Sequence, residues 1–131
     1  MPFDWSKYLR LAEELATRKE EACLRSSLSR MYYYVYNIAL ERAKRNGFKA
    51  VSGESTHGQL WRLYSKSPEP RCVSLGQIAL RLKEKREKAD YDPSFLRIEE
   101  EVPLALQDAL YFADILQKLA QRFPDPESVR R

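Results

Sequence analysis

The stretch from Cys23 to Asn46, CLRSSLSRMYYYVYNIALERAKRN, contains neither proline nor glycine and carries Tyr32, Tyr33, Tyr34 and Tyr36 close together. Drawn as a helix, it has an apolar line at Leu24, Leu28, Met31, Val35 and Ile38, and the tyrosines spread aromatic surface round most of the remainder. A helix that is apolar on nearly every side needs neighbours on nearly every side. This one segment therefore dictates a bundle assembled around it, with the tyrosine hydroxyls at the margins of the packing.

The rest of the chain supplies those neighbours. Apolar residues recur at spacings of three and four, only four glycines occur, and no Asn-Gly or Asp-Gly pair sits between alternating segments, so the fold class is all-α. Helix one is expected from Asp4, a good N-cap, to Glu21, with Trp5, Tyr8, Ala12 and Leu15 inward. Helix two closes on Lys44, Arg45 and then Asn46-Gly47, cations in the last turn followed by a left-handed stop. Helix three opens at Thr56, with Thr56 and Gln59 as a capping box, and carries Leu60, Trp61, Leu63 and Tyr64. Helix four runs from Arg71 to about Ala89. Helix five runs from about Val102 to Phe123, and Pro103 fits if that helix begins near Val102 or if a longer helix kinks there. Short turns between such helices make an up-and-down bundle of four to five helices, one domain over residues 1–123, followed by a loose tail over 124–131.

Composition narrows the function classes. With 131 residues, the chain can bury a core without a metal or disulfide staple. No apolar run is long enough for a membrane span, and MPFDWSKYLR lacks the pattern of a secretory signal, so the expected location is the cytoplasm. Cys23 and Cys72 have no CxxC spacing, and with one histidine they make no zinc site; neither metal nor cofactor is expected. The net charge of +4 is compatible with an RNA or phosphate ligand and falls short of a dedicated duplex-DNA binder.

Two constellations stand out. In LKEKREKADYDP, Leu82 to Pro93, most charges belong to an exposed helix face braced by Glu84–Lys88 and Lys83–Glu87 pairs. Arg86 is different, because it continues the inward stripe Leu75, Ala79, Leu82 at the end of the helix, just before Asp90 and Tyr91. An inward arginine at a bundle end pairs with a carboxylate or awaits an anion. The second constellation is Arg30, Tyr33 and Asn37, a polar face on helix two that reads as a ligand pocket or a subunit contact. His57 falls at the start of helix three, where a lone histidine is read as incidental.

Taken together, Ser29-Arg30-Met31-Tyr32-Tyr33-Tyr34 and Arg86-Glu87-Lys88-Ala89-Asp90-Tyr91 resemble the paired signatures of the HEPN superfamily, in its stand-alone prokaryotic branch. The passage Ser55-Thr56-His57-Gly58-Gln59-Leu60 looks like that branch's link, and the likeness runs from Leu15 to Phe123. The resemblance implies a helical bundle acting as a homodimer. Many such proteins are metal-independent ribonuclease toxins, paired with a nucleotidyltransferase-like antitoxin, in which an arginine and a following histidine line a cleft between subunits. A guanidinium there neutralises phosphate while an imidazole moves protons. This chain departs from the nuclease pattern, since Tyr91 stands about where that histidine is expected and Asn37 where helix two often carries another. A phenol, with an ordinary pKa near ~10, is a poor proton acceptor at neutral pH. The expectation is therefore a HEPN-like module that binds RNA or a nucleotide through a polar cleft at a dimer interface, within a toxin–antitoxin or defence system. The alternatives are a ribonuclease with Arg86, Asp90 and Tyr91 as catalytic groups, and a structural protein–protein module in which Arg86 and Asp90 are an interior ion pair.

Overall fold

In the computed structural model, which describes residues 2–129, the tyrosine-rich segment forms one unbroken helix, α2 (Glu21–Arg45). Around it lie α1 (Ser6–Ala16), α3 (Thr56–Ser65), α4 (Pro70–Tyr91) and α5 (Ile98–Lys118), with a short α6 (Pro126–Val129) at the end. No strand occurs among the described residues. α2 packs on α1, α4 and α5, and α3 packs mainly on α4, so the helix expected at the centre is there. Leu24, Leu28, Met31 and Val35 are buried as its periodicity requires, but the line continues through Ala39 and Ala43, leaving Ile38 only half-buried. Steps of four residues keep a line on one side of a helix, and the small alanines let neighbouring helices approach there. On α5, Val102, Ala105, Ala109, Phe112 and Leu116 are all buried, at the three- and four-residue spacing of a single helix face.

Two arginines of α2 hold the ends of its neighbours. Arg25 Nη1 donates to the carbonyls of Asp92 (2.6 Å) and Ala89 (3.0 Å), closing the end of α4. Near the other end of α2, Arg42 donates to Leu116 (2.7 Å) and Phe123 (3.0 Å) beyond α5. The last carbonyls of a helix lack intrahelical partners, and a guanidinium fork suits several at once. The stop of α2 follows the Asn46-Gly47 pattern. Gly47 sits at φ 98°, the Phe48 amide reaches the Ala43 carbonyl (3.0 Å), and the Gly47 amide reaches that of Lys44 (3.0 Å).

Several boundaries differ from expectation for local reasons. α1 ends at Ala16, not Glu21, where the Thr17 hydroxyl bonds back to the Glu14 carbonyl (2.7 Å). The chain then reverses, and Ser27 of α2 donates to the Ala12 carbonyl (2.7 Å). α3 is capped by Ser55, whose hydroxyl accepts from the Gly58 amide, and not by Thr56. Gln59, expected to reach back in a capping box, instead exchanges two hydrogen bonds with the Val51 backbone (2.7 and 2.9 Å), pinning the loop before α3. α5 begins at Ile98 with Glu99, Glu100 and Glu101 in its first turn, so Pro103 lies inside the helix. Acidic residues favour the positive end of the helix, and Pro103 removes only one intrahelical bond. The segment expected as a tail turns back on the bundle as far as it is described: Pro124 and Pro126 are buried and Asn46 donates to the Pro124 carbonyl (3.1 Å). Residues 130–131 of that tail lie outside the described residues.

Candidate functional site

Arg86 reaches the interior because α4 places it there. Leu75, Ala79 and Leu82 on the same stripe are 1% exposed or less, and the Arg86 side chain itself is 11% exposed. Its surroundings are aromatic. The guanidinium carbon stands 5.4 Å from the Tyr32 ring centre, 5.5 Å from that of Tyr33 and 6.0 Å from that of Tyr91. Ring faces attract a cation through their quadrupole without filling its N–H groups, and of the three tyrosines only Tyr91 also serves Arg86 as a hydrogen-bond partner, through its hydroxyl. The one anion beside it is Asp90, at 3.6 Å, and Arg86 Nε is buried without a hydrogen-bond partner. Burial alone would lower the pKa of Arg86, but Tyr33, Asp90, Tyr32 and Tyr91 outweigh it and the net shift is upward, so the group stays charged. A buried cation with donors unfilled is suited to an anion with several acceptor oxygens.

His57 belongs to the same cluster, contrary to its reading as incidental. Its ring stacks on Tyr36 at 3.8 Å with 7° between planes, lies 5.6 Å from Tyr32 and 6.0 Å from Tyr33. His57 Nδ1 is 2.6 Å from the Tyr32 hydroxyl, which also accepts from Trp61 Nε1 (3.0 Å). Arg86 and His57 thus stand against the same two tyrosines, one from α4 and one from α3. Burial, then Lys83 and Arg86, push the His57 pKa below its usual value. Burial also raises the pKa of Tyr32, outweighing the Trp61 hydrogen bond and the Arg86 charge.

The second constellation divides. Arg30 lies over Tyr8 at 4.8 Å and over Tyr33 at 5.7 Å, so Tyr33 is shared between Arg30 and Arg86. Asn37 does not join them, for its amide donates to the Tyr33 carbonyl one turn back (2.7 Å). Two hollows flank the Arg86–Asp90 pair. One, of about 380 Å³, is lined by Leu11, Leu15, Ser29, Arg30 and Asp90, and the other, of about 440 Å³, by Glu84, Arg86, Lys88 and Tyr91. Tyr91 is 75% exposed at the rim. The expected Glu84–Lys88 and Lys83–Glu87 pairs are not among the ion pairs of the described residues; Lys85 reaches Glu101 of α5 instead (3.0 Å). A third hollow, of about 450 Å³, is lined in part by Arg81 and Lys85, whose charges are matched by Asp108 and Glu101. No group of metal-ligating side chains occurs among the described residues, and no helix there is long and apolar enough to cross a membrane.

Sequence reasoning missed Tyr32 beside Arg86, and with it His57, Trp61 and Lys83 around that ring pair. Their only trace is the Thr56-His57-Gly58 start of α3, which says nothing of a partner on α2. What the fold and the cluster define is an all-helical bundle with a buried, incompletely bonded guanidinium beside an imidazole. Comparison of the chain with protein families, with curated proteins and with solved structures finds no match in any of the three.

Proposed function

We infer that the chain is a HEPN-like module that binds single-stranded RNA, with a backbone phosphate at Arg86 and bases against the neighbouring tyrosines. The observation that carries this is the state of Arg86, which is charged, 11% exposed, ringed by three tyrosines and paired with one carboxylate at 3.6 Å. A phosphate would supply the acceptors that the rings withhold. Tyr91, exposed at the rim, offers the kind of face on which bases stack, a contact worth about 1–3 kcal/mol per base. The two segments that carry the HEPN resemblance meet in space through Tyr33 and Arg86, which supports a common cleft. Action as a homodimer, a nucleotidyltransferase-like partner and a place in a toxin–antitoxin system belong to this proposal through the resemblance alone.

The test is retention of a fluorescent single-stranded RNA in the presence of a chelator, for wild type and Arg86→Met. Retention by wild type that is lost in a folded Arg86→Met supports the reading; equal retention by both overturns it. A second reading, metal-independent cleavage of RNA by Arg86 with Asp90 and Tyr91, is favoured by the meeting of those three side chains. The same incubation decides it, since cleavage shortens the labelled RNA.

A further inference from the structure

His57 is the only histidine in the chain, and its hydrogen bonds determine which nitrogen carries a proton. An indole N–H only donates, so at 3.0 Å the Trp61 ring makes the Tyr32 oxygen an acceptor. Tyr32 is fully buried, and burial holds its proton on. Among the described residues that proton has one acceptor within reach, His57 Nδ1 at 2.6 Å. A neutral imidazole that accepts at Nδ1 carries its hydrogen on Nε2. The ring has little freedom to turn, with Tyr36 stacked at 3.8 Å on it and Tyr33 edge-on at 6.0 Å. Nε2 has no hydrogen-bond partner among the described residues and is not among the buried unpaired atoms. The groups facing the ring are Tyr32, Tyr33 and Tyr36 of α2 and the cations Lys83 and Arg86 of α4, with no carboxylate among them. Such a setting disfavours an imidazolium and favours an approaching anion.

We propose that His57 is the second RNA-binding group of this site, a neutral imidazole fixed as the Nε2–H tautomer by Tyr32, which donates to an RNA phosphate oxygen beside Arg86. This rests on the RNA-binding reading above and adds the residue that shares the phosphate. Tyr32 is then a positioning residue, acting through the imidazole, and Trp61 positions Tyr32. The same tautomer has a chemical consequence. With hydrogen on Nε2 and Nδ1 engaged, the imidazole has no free lone pair to take a proton from a ribose hydroxyl, so His57 holds RNA and does not activate it.

Long-range proton–nitrogen correlation spectra test this directly, because a single histidine gives a single imidazole pattern. In the free protein at neutral pH, Nδ1 is expected to show an unprotonated shift and Nε2 a protonated one. Adding a short single-stranded RNA oligonucleotide should move Nε2 more than Nδ1. Tyr32→Phe should redistribute the tautomers, and if that buried substitution does not fold, the wild-type spectrum still decides the tautomer. In RNA titrations, His57→Ala should bind roughly tenfold more weakly, as expected for one lost hydrogen bond to a charged group, while His57→Gln, which keeps an N–H, should stay within about threefold of wild type. A free protein with hydrogen on Nδ1, or a His57→Ala variant with unchanged affinity, overturns the proposal. If His57→Ala is unchanged and Arg86→Met still loses the RNA, the RNA-binding reading stands without His57. If wild type binds no RNA, both fall together.

Discussion

Arg42 and Arg86 are both arginines drawn into the bundle, and they have been dealt with in opposite ways. Arg42, 3% exposed, is wrapped by backbone: its two terminal nitrogens donate to the carbonyls of Leu116, Leu119, Ala120 and Phe123 at 2.7 to 3.5 Å. Arg86, on α4, meets three ring faces, the hydroxyl of Tyr91 and one carboxylate at 3.6 Å, and donates to no carbonyl among the described residues. Each leaves its Nε unpaired, so that orphan atom by itself does not separate them. The difference lies in the forks. Carbonyls at a helix end use up a guanidinium's directional donors, whereas aromatic faces balance its charge and leave the donors for something else. Burial of an arginine thus marks structure in one case and a candidate site in the other.

The sharpest break of this comparison is Arg42→Met. It should lower stability by about 3 kcal/mol, since several carbonyls lose their partner at once, and lower Tm by roughly 10 °C in a domain of this size. RNA retention below the transition should match wild type. Urea unfolding followed by circular dichroism measures the first part and an RNA titration the second. Arg86→Met should do the reverse, weakening RNA binding by roughly 10- to 100-fold with stability within about 1 kcal/mol of wild type, because an apolar side chain among tyrosines replaces an imperfectly paired charge. If the two variants had the same phenotype, the contrast would be empty.

Asp90→Asn sharpens it further. Removing the carboxylate at 3.6 Å leaves the Arg86 guanidinium to a phosphate, so RNA affinity should rise about threefold, a modest effect because Asp90 is itself partly exposed. The smallest effect concerns His57. Its folded pKa is held below the ordinary 6.5, so the unfolded chain takes up the proton first as pH falls. The corresponding stability is full above about pH 6.5 and is lost as the pH drops toward the lower folded value. Urea midpoints at pH 7.5 and 5.5 should therefore fall more for wild type than for His57→Gln; equal falls would place the imidazole in water.

Much of this was legible in the residues. The all-helical class, the central place of α2, the buried stripe of α5 and the left-handed stop at Gly47 are consequences of periodicity and local backbone chemistry. So is the inward position of Arg86, which follows from its register with Leu75, Ala79 and Leu82. Boundaries were less legible where a remote group decides them: α5 ends at Lys118, not at Phe123, and Arg42, from α2, binds the carbonyls that follow. The candidate site was half legible. Arg86, Tyr33, Asp90 and Arg30 were drawn from helical faces and do lie together, while Asn37 turned onto its own backbone.

Which helices form and which faces turn inward follow from local residue order, because a 3.6-residue repeat fixes direction along one helix. How each inward polar group is satisfied depends on the assembled bundle. The partner of Arg42 lies across the bundle on the far end of α5, and the partners of His57 lie on α2 and α4. Such meetings arise from packing between helices distant in sequence, and no local pattern records them.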